Sequence, residues 1–269
     1  LIKTGRNYNV HALPGGGCKR LGIPPVLFTD GPRGVVMGES TCFPSSMVRA
    51  SIFDPSLEYR VGKAIADETI AQGANLFAGV CINLVRNPRW GRTQESYGED
   101  PFLLGEFGKA LTVSVQEEGV IACVKHFALN SMEDLRFYVD VHIDDRALHE
   151  VYLPHFKKCV DAGAQSIMGA YNRYEEYHCC ENKKLLTDIL RREWGFDGFV
   201  MSDFVWGVYD AEHSLRAGLD LEMMFTMKYS EGNIRKCLKK GLLNEEHIDR
   251  AVDNILRALL RMEPKIRKR

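Results

Sequence analysis

Six stretches of this sequence carry an apolar run straight into acids, bases or amides. In "FTDGPRG" the run from Pro25 to Thr29 ends on Asp30. In "NPRWGRTQESYGEDP", after the apolar run Ala74 to Leu84, come Arg92 and Glu95. "VKHFALN" contributes Lys125 and His126, and "GAYN" contributes Tyr171 and Asn172. "GFVMSDF" delivers Asp203, and "AGLDLEM" delivers Asp220 and Glu222. A carboxylate at the exit of a buried strand is costly unless it is paired or used. Each group alone has a structural reading. Arg92 with Glu95 fits a loop-stapling ion pair, Lys125-His126 fits a paired turn, and Asp30 before Gly31-Pro32 fits an Asx-type turn. Six strand ends in succession ask for a shared cause, one polar mouth. With Trp90, Phe204 and Trp206 nearby, that mouth suits a polyhydroxylated small molecule or oligosaccharide, gripped by charged groups and covered by aromatic faces.

The elements that must position these groups alternate between strand and helix. Strands are expected at Pro25–Thr29, Ala74–Leu84, Ile121–Phe127, Gln165–Tyr171, Gly198–Ser202 and Gly218–Met223, with Asp140–Ile143 as an extra edge strand. Asp54-Pro55 opens a helix closed by Gly73. Asp145 opens another that ends at Gly163, and Asn244 opens a long last one through Ile248, Val252, Ile255 and Leu259. This order predicts an α/β fold, a TIM-like (β/α)8 barrel, irregular or incomplete because six strands rather than eight are convincing. The mouth then lies at the C-terminal ends of the strands. Residues 1–262 make the barrel, and the basic, proline-broken stretch 263–269 reads as a tail or the start of a linker.

Composition narrows the partners. The chain has 269 residues, 45% hydrophobic and 26% charged, with a net charge of -1. Nothing there favours nucleic acid or a membrane surface, and no apolar run approaches the ~20 residues that span a bilayer. The eight cysteines form no CxxC pair, which leans towards a reducing, cytoplasmic setting. His178-Cys179-Cys180 lacks tetrahedral ligand spacing, and "GGGC" at 15–18 lacks the ending of a phosphate-binding loop. No metal and no cofactor is expected. The chain opens on Leu1, so its natural start is expected upstream.

The six motifs, in this order and spacing, resemble the N-terminal barrel domain of family 3 glycoside hydrolases, the β-glucosidase and β-xylosidase group, over residues 10 to 260. The resemblance implies a retaining, exo-acting β-glycosidase, a β-glucosidase above all. Asp203 matches the catalytic nucleophile, and Asp30 matches the acid that holds the distal hydroxyls of the first sugar. Arg92, Lys125 and His126 match its hydroxyl-binding partners. Arg136 matches an arginine beside the nucleophile and the 2-hydroxyl, and Tyr171 a tyrosine close to the nucleophile. Glu95 and Glu222 fit positions that hold the basic residues in place. Phe204 stands where many relatives have Trp, with Trp206 two residues on as the candidate aromatic wall. "KHFALNS" lacks the "PGHG" continuation of the N-acetylglucosaminidase branch. In the β-glucosidase branch the general acid lies on a second, α/β sandwich domain, absent from this chain. A second domain or subunit is then expected to supply it, with Glu133 and Glu95 as in-chain candidates. Two other readings stand beside this one: a truncated barrel that binds sugar with little turnover, and an aldolase with Lys125 as Schiff base.

Overall fold

The computed structural model describes residues 10–266. The apolar runs form strands β1 (Leu13–Gly15), β2 (Val26–Thr29), β3 (Leu76–Cys81) and β4 (Ile121–Phe127), then the short β5 (Asp140–Val141). They continue with β6 (Ser166–Gly169), β7 (Arg173–Tyr174), β8 (Tyr177–His178) and β9 (Phe199–Ser202). The main sheet has the order β1-β2-β3-β4-β6-β9, parallel throughout except for β1, which runs antiparallel to β2. Beyond β9 a single parallel bridge joins Met201 to Leu221. A Cβ on Gly15 would meet Sδ of Met223 at 2.6 Å, so the two ends of the curled sheet touch. The result is an irregular TIM-like barrel.

Two expectations change here. Gly218–Met223 does not form a strand. Gly218 sits at φ 115°, closing the preceding helix, and Asp220 directs its carboxylate at the Val200 amide, leaving only Leu221 to pair with the sheet. The segment at Asp140 is a strand, but not an edge of the barrel. β5 pairs with β7 in a separate sheet of three strands, β5-β7-β8.

Alternation along the strands decides what faces inward. The barrel interior is packed by Val26 and Phe28 of β2, Ile121 and Cys123 of β4, and Phe199 and Met201 of β9, together with Leu76, Met168 and Leu221. The next position on the same face of each strand is Asp30, Lys125 and Asp203. The same periodicity that fills the core therefore caps it with a carboxylate, an ammonium and a second carboxylate. The opposite faces (Phe77, Val124, Ile167 and Val200 among them) pack against the helices.

The helices are α1 (Ser46–Ala50), α2 (Pro55–Ala71), α3 (Pro101–Glu117), α4 (Asp145–Ala147), α5 (Pro154–Asp161), α6 (Ala211–Ala217), α7 (Glu231–Lys239) and α8 (Glu245–Ile266). Asp54 caps α2 by accepting from the Ser56 amide, and Asp100 caps α3 by accepting from Phe102, each with proline in the first turn. The "EDP" of the second motif thus starts a helix. The helix expected from Asp145 to Gly163 is capped instead by Asp144, loosens into a π-helical turn at Leu148–Tyr152 and restarts at Pro154. Proline has no amide to continue the ladder. A second π-helical segment spans Lys184–Glu193. Helix α8 runs past Pro264 to Ile266, so part of the expected tail is helical, and 267–269 lie outside the described residues.

The loop after β2 is tied down by a buried ion pair. Arg49 donates to both oxygens of Glu58 (2.7 and 3.0 Å) and to the carbonyl of Pro32, while the Tyr97 hydroxyl donates to Glu58 at 2.6 Å. Removing one partner of such a pair strands the other charge in a low dielectric. Glu58→Gln is expected to lower stability by about 3–5 kcal/mol, seen as a reduced urea midpoint with an unchanged slope.

Candidate active site

Asp30 and Lys125, from β2 and β4, meet across the top of the barrel, with Nζ 2.6 Å from Oδ1. Asp30 also accepts from the Gly31 amide at 2.8 Å. Burial works hardest against the Lys125 ammonium, yet the Asp30 carboxylate beside it, together with Glu95 and Cys81, outweighs this and holds its pKa above the ordinary value. A Schiff-base lysine needs a neutral amine, so this contact opposes the aldolase reading.

Asp203 stands directly beyond β9. Oδ1 accepts from the Phe204 amide at 3.1 Å, whereas Oδ2 is buried and makes no hydrogen bond. Nε2 of His126 lies 3.7 Å from that oxygen. The contact is not an ion pair. Burial, and then the charges of Arg92, Lys125 and Arg136, push the His126 pKa well below its usual value and leave the ring neutral.

The loops after β3 and β4 bring Arg92 and Arg136. Arg92 forms a fork with Glu95, Nε to Oε1 at 3.0 Å and Nη2 to Oε2 at 2.8 Å. Arg136 pairs with Glu133 at 2.9 Å, and Trp90 donates its indole N–H to the other oxygen of Glu133 at 3.0 Å. The Arg136 guanidinium lies 4.6 Å from the Tyr171 ring centroid, within cation–π range. Tyr171 in turn donates its hydroxyl to the Phe204 carbonyl at 2.5 Å, joining the exits of β6 and β9. Trp206 is 55% exposed, an indole offered to solvent.

Two residues expected at the mouth are engaged elsewhere. Glu222 accepts from the amides of Lys228 and Tyr229 rather than from a basic side chain, so it organises a loop. Asp220 accepts from Val200 N, Arg191 and Asn254, pinning the start of β9 to α8. Two asparagines do more than the sequence reading assigned them. Asn172 donates to the Ala128 carbonyl at 3.2 Å, and Asn83 bonds His126 through both ends of its amide. A polar residue inside the apolar run before "NPRWGR" was the available signal for Asn83. Among the described residues, Asp210, Glu212 and His213 form a cluster with metal-like spacing, but Asp210 is already the α6 N-cap, accepting from the His213 amide.

Desolvation dominates the charge state of Asp203. Burial raises its pKa from 3.8 to about 6, against the opposing pull of Arg92, Lys125 and Arg136. Because the folded-state value lies above the unfolded one, the folded form holds the proton more tightly. Stability therefore falls as pH rises from 3.8 to about 6, and the full cost stands at neutral pH. Asp203→Asn is expected to stabilise the fold by about 2–3 kcal/mol at neutral pH and by little near pH ~4, measured by urea unfolding at both values.

Comparison with known proteins bears directly on this arrangement. The sequence model described as "Glycosyl hydrolase family 3 N terminal domain" matches residues 17–258. "Thermostable beta-glucosidase B" of Acetivibrio thermocellus is 39% identical over 256 residues, covering 90% of this chain and 34% of that protein. "Exo-alpha-(1->6)-L-arabinopyranosidase" of Bifidobacterium longum is also 39% identical, covering 89% and 33%. The crystal structure of the Kluyveromyces marxianus beta-glucosidase in complex with glucose superposes with a TM-score of 0.92 at 35% identity, over 97% of this chain and 32% of that one. The chain thus spans about a third of the length of the curated relatives it matches. With the match running from Gly17 to Ala258, and with it the strands that present Asp30, Lys125 and Asp203, the chain belongs to glycosyl hydrolase family 3.

Proposed function

We propose that this chain is the barrel of a retaining, exo-acting β-glycosidase, with glucose as the sugar of the first subsite and Asp203 as the nucleophile. The observation that carries this reading is the buried, unbonded Oδ2 of Asp203 beneath a ring of cations. Asp203 attacks the anomeric carbon as the bond to the leaving oxygen breaks, and water then hydrolyses the glycosyl ester. Asp30, Lys125 and Arg92 grip the distal hydroxyls through charge-assisted hydrogen bonds, and neutral His126 through an ordinary one. Arg136 and Tyr171 stand on the 2-hydroxyl side, and Trp206 supplies an apolar wall towards the leaving group. Glucose is supported by the relatives named as β-glucosidases and by the glucose complex of the Kluyveromyces enzyme. The arabinopyranosidase relative makes other pyranoses the competing choice.

Retaining hydrolysis also needs a general acid about 5–5.5 Å from the nucleophile. Both oxygens of Glu95 are bonded to Arg92, and those of Glu133 to Arg136 and to the Trp90 indole, so neither offers an oxygen free for a leaving group. We therefore assign the acid to a further domain or subunit, with residues 1–262 as the barrel domain and 263–269 leading from it. Within the described residues no helix is long and apolar enough to cross a membrane. The eight unpaired cysteines support a reducing, cytoplasmic setting.

Labelling, mutation, pH dependence and leaving-group dependence test these assignments. A 2-fluoro glycoside is expected to label the peptide containing Asp203, and Asp203→Ala to lose at least ~10³-fold in kcat/KM; label on any other peptide refutes the nucleophile. With Asp203 required in its ionised form, kcat/KM falls as pH drops through about 6. The 269-residue chain is expected to turn over nitrophenyl glycosides, whose leaving group needs no proton, about 10²–10⁴-fold better than alkyl glycosides relative to an enzyme with its acid in place. Equal competence on both classes places the acid within this chain.

A further inference from the structure

The amide of Asn83 is used three times, each time on His126. Its Nδ2 donates to the His126 carbonyl at 2.8 Å, and its Oδ1 accepts from the His126 backbone N–H at 2.8 Å. The same Oδ1 lies 2.8 Å from Nδ1 of the His126 ring. The first two bonds fix which end of the amide is oxygen, because only nitrogen can donate to a carbonyl and only oxygen can accept from an amide. Both groups are buried, at 2% and 1% exposure, so no water competes for these positions. An oxygen facing Nδ1 admits one arrangement only: Nδ1 carries the proton and Oδ1 accepts it. In a neutral ring Nε2 is then the bare nitrogen, a lone pair turned towards the mouth.

We infer that Asn83 is a positioning residue that locks His126 as the Nδ1–H tautomer, so that Nε2 accepts a hydrogen bond from a substrate hydroxyl instead of donating one. This rests on the sugar-binding reading above and sharpens it. Of the other members of the grip, Lys125 and Arg92 are donors without acceptor capacity, and Asp30 is an acceptor whose Oδ1 already takes the Lys125 ammonium and the Gly31 amide. A sugar hydroxyl both donates and accepts. Donors satisfy its lone pairs but strand its proton, and His126 supplies an acceptor for it beside Asp203, in addition to Asp30. The 3.7 Å from Nε2 to Oδ2 of Asp203 fits the same picture. Two lone pairs face each other there without a proton between them, consistent with an Oδ2 that makes no hydrogen bond. A hydroxyl entering beside them brings the proton that neither group has.

The test is a long-range ¹H–¹⁵N spectrum of histidine-labelled protein at neutral pH, which distinguishes protonated from bare ring nitrogens, paired with glucose titrations. Wild-type protein is expected to show a protonated Nδ1 and a bare Nε2 for His126, assigned by its loss in His126→Gln. Asn83→Ala is expected to release the ring towards the Nε2–H form and to weaken glucose binding about tenfold, the worth of one hydrogen bond. Asn83→Asp, which keeps the accepting oxygen, is expected to keep Nδ1 protonated. A merely structural role for Asn83 moves stability but not the tautomer. A protonated Nε2 in wild-type protein overturns the inference, as does an Asn83→Ala variant that keeps both the tautomer and the affinity. Should that variant not fold, the wild-type spectrum alone decides. Wild-type protein with a bare Nε2 that binds no pyranose upholds the tautomer lock and overturns the sugar-binding reading instead.

Discussion

A carboxylate oxygen with no hydrogen bond, buried where a barrel meets its mouth, is among the costlier objects a fold can hold. Oδ2 of Asp203 is such an oxygen. Much of the surrounding structure is arranged to keep it so. The apolar column of Phe199 and Met201 beneath it excludes water from below, and the Phe204 amide satisfies only its companion oxygen. The cost is met by the rest of the core, and it leaves an oxygen whose solvation is incomplete.

The cations around the mouth follow the same logic. Each has its own carboxylate: Lys125 has Asp30, Arg92 has Glu95, and Arg136 has Glu133. Asp203 therefore feels three positive charges without being claimed by any of them. A direct salt bridge to Asp203 would have lowered its pKa and satisfied its oxygens. The paired cations instead favour the ionised form from a distance, partly offsetting desolvation. Further from the mouth, Arg49–Glu58 and Arg191–Asp220 anchor the loop after β2 and the root of β9, the segments that carry Asp30 and Asp203.

Amides rather than charges set the finer geometry. Asn83 reads both the backbone and the ring of His126, and Asn172 holds the Ala128 carbonyl of the neighbouring turn. An amide suits this task because it offers a donor and an acceptor at fixed separation and adds no charge to a site already crowded with it.

Strand positions, helix caps and the polar strand ends were legible along the chain because they are local. Alternation has a period of two residues, and a cap reaches two or three residues ahead. Thus Asp54, Asp100 and the exits at Asp30, Lys125 and Asp203 follow from their neighbours. The segment Gly218–Met223 misled for the same reason: its apolar pattern is that of a strand, but Asp220 is drawn off by Arg191 and Asn254, partners invisible in the local pattern. Partner choice belongs to the tertiary structure. Asp30 and Lys125 are 95 residues apart, and Asn83 and His126 are 43 apart. Which acid takes which base, which oxygen is left bare and which ring nitrogen holds the proton depend on distances of a few ångströms between strands that only folding brings side by side. The sequence alone determined which groups crown the barrel, and the fold decided their charge states and pairings.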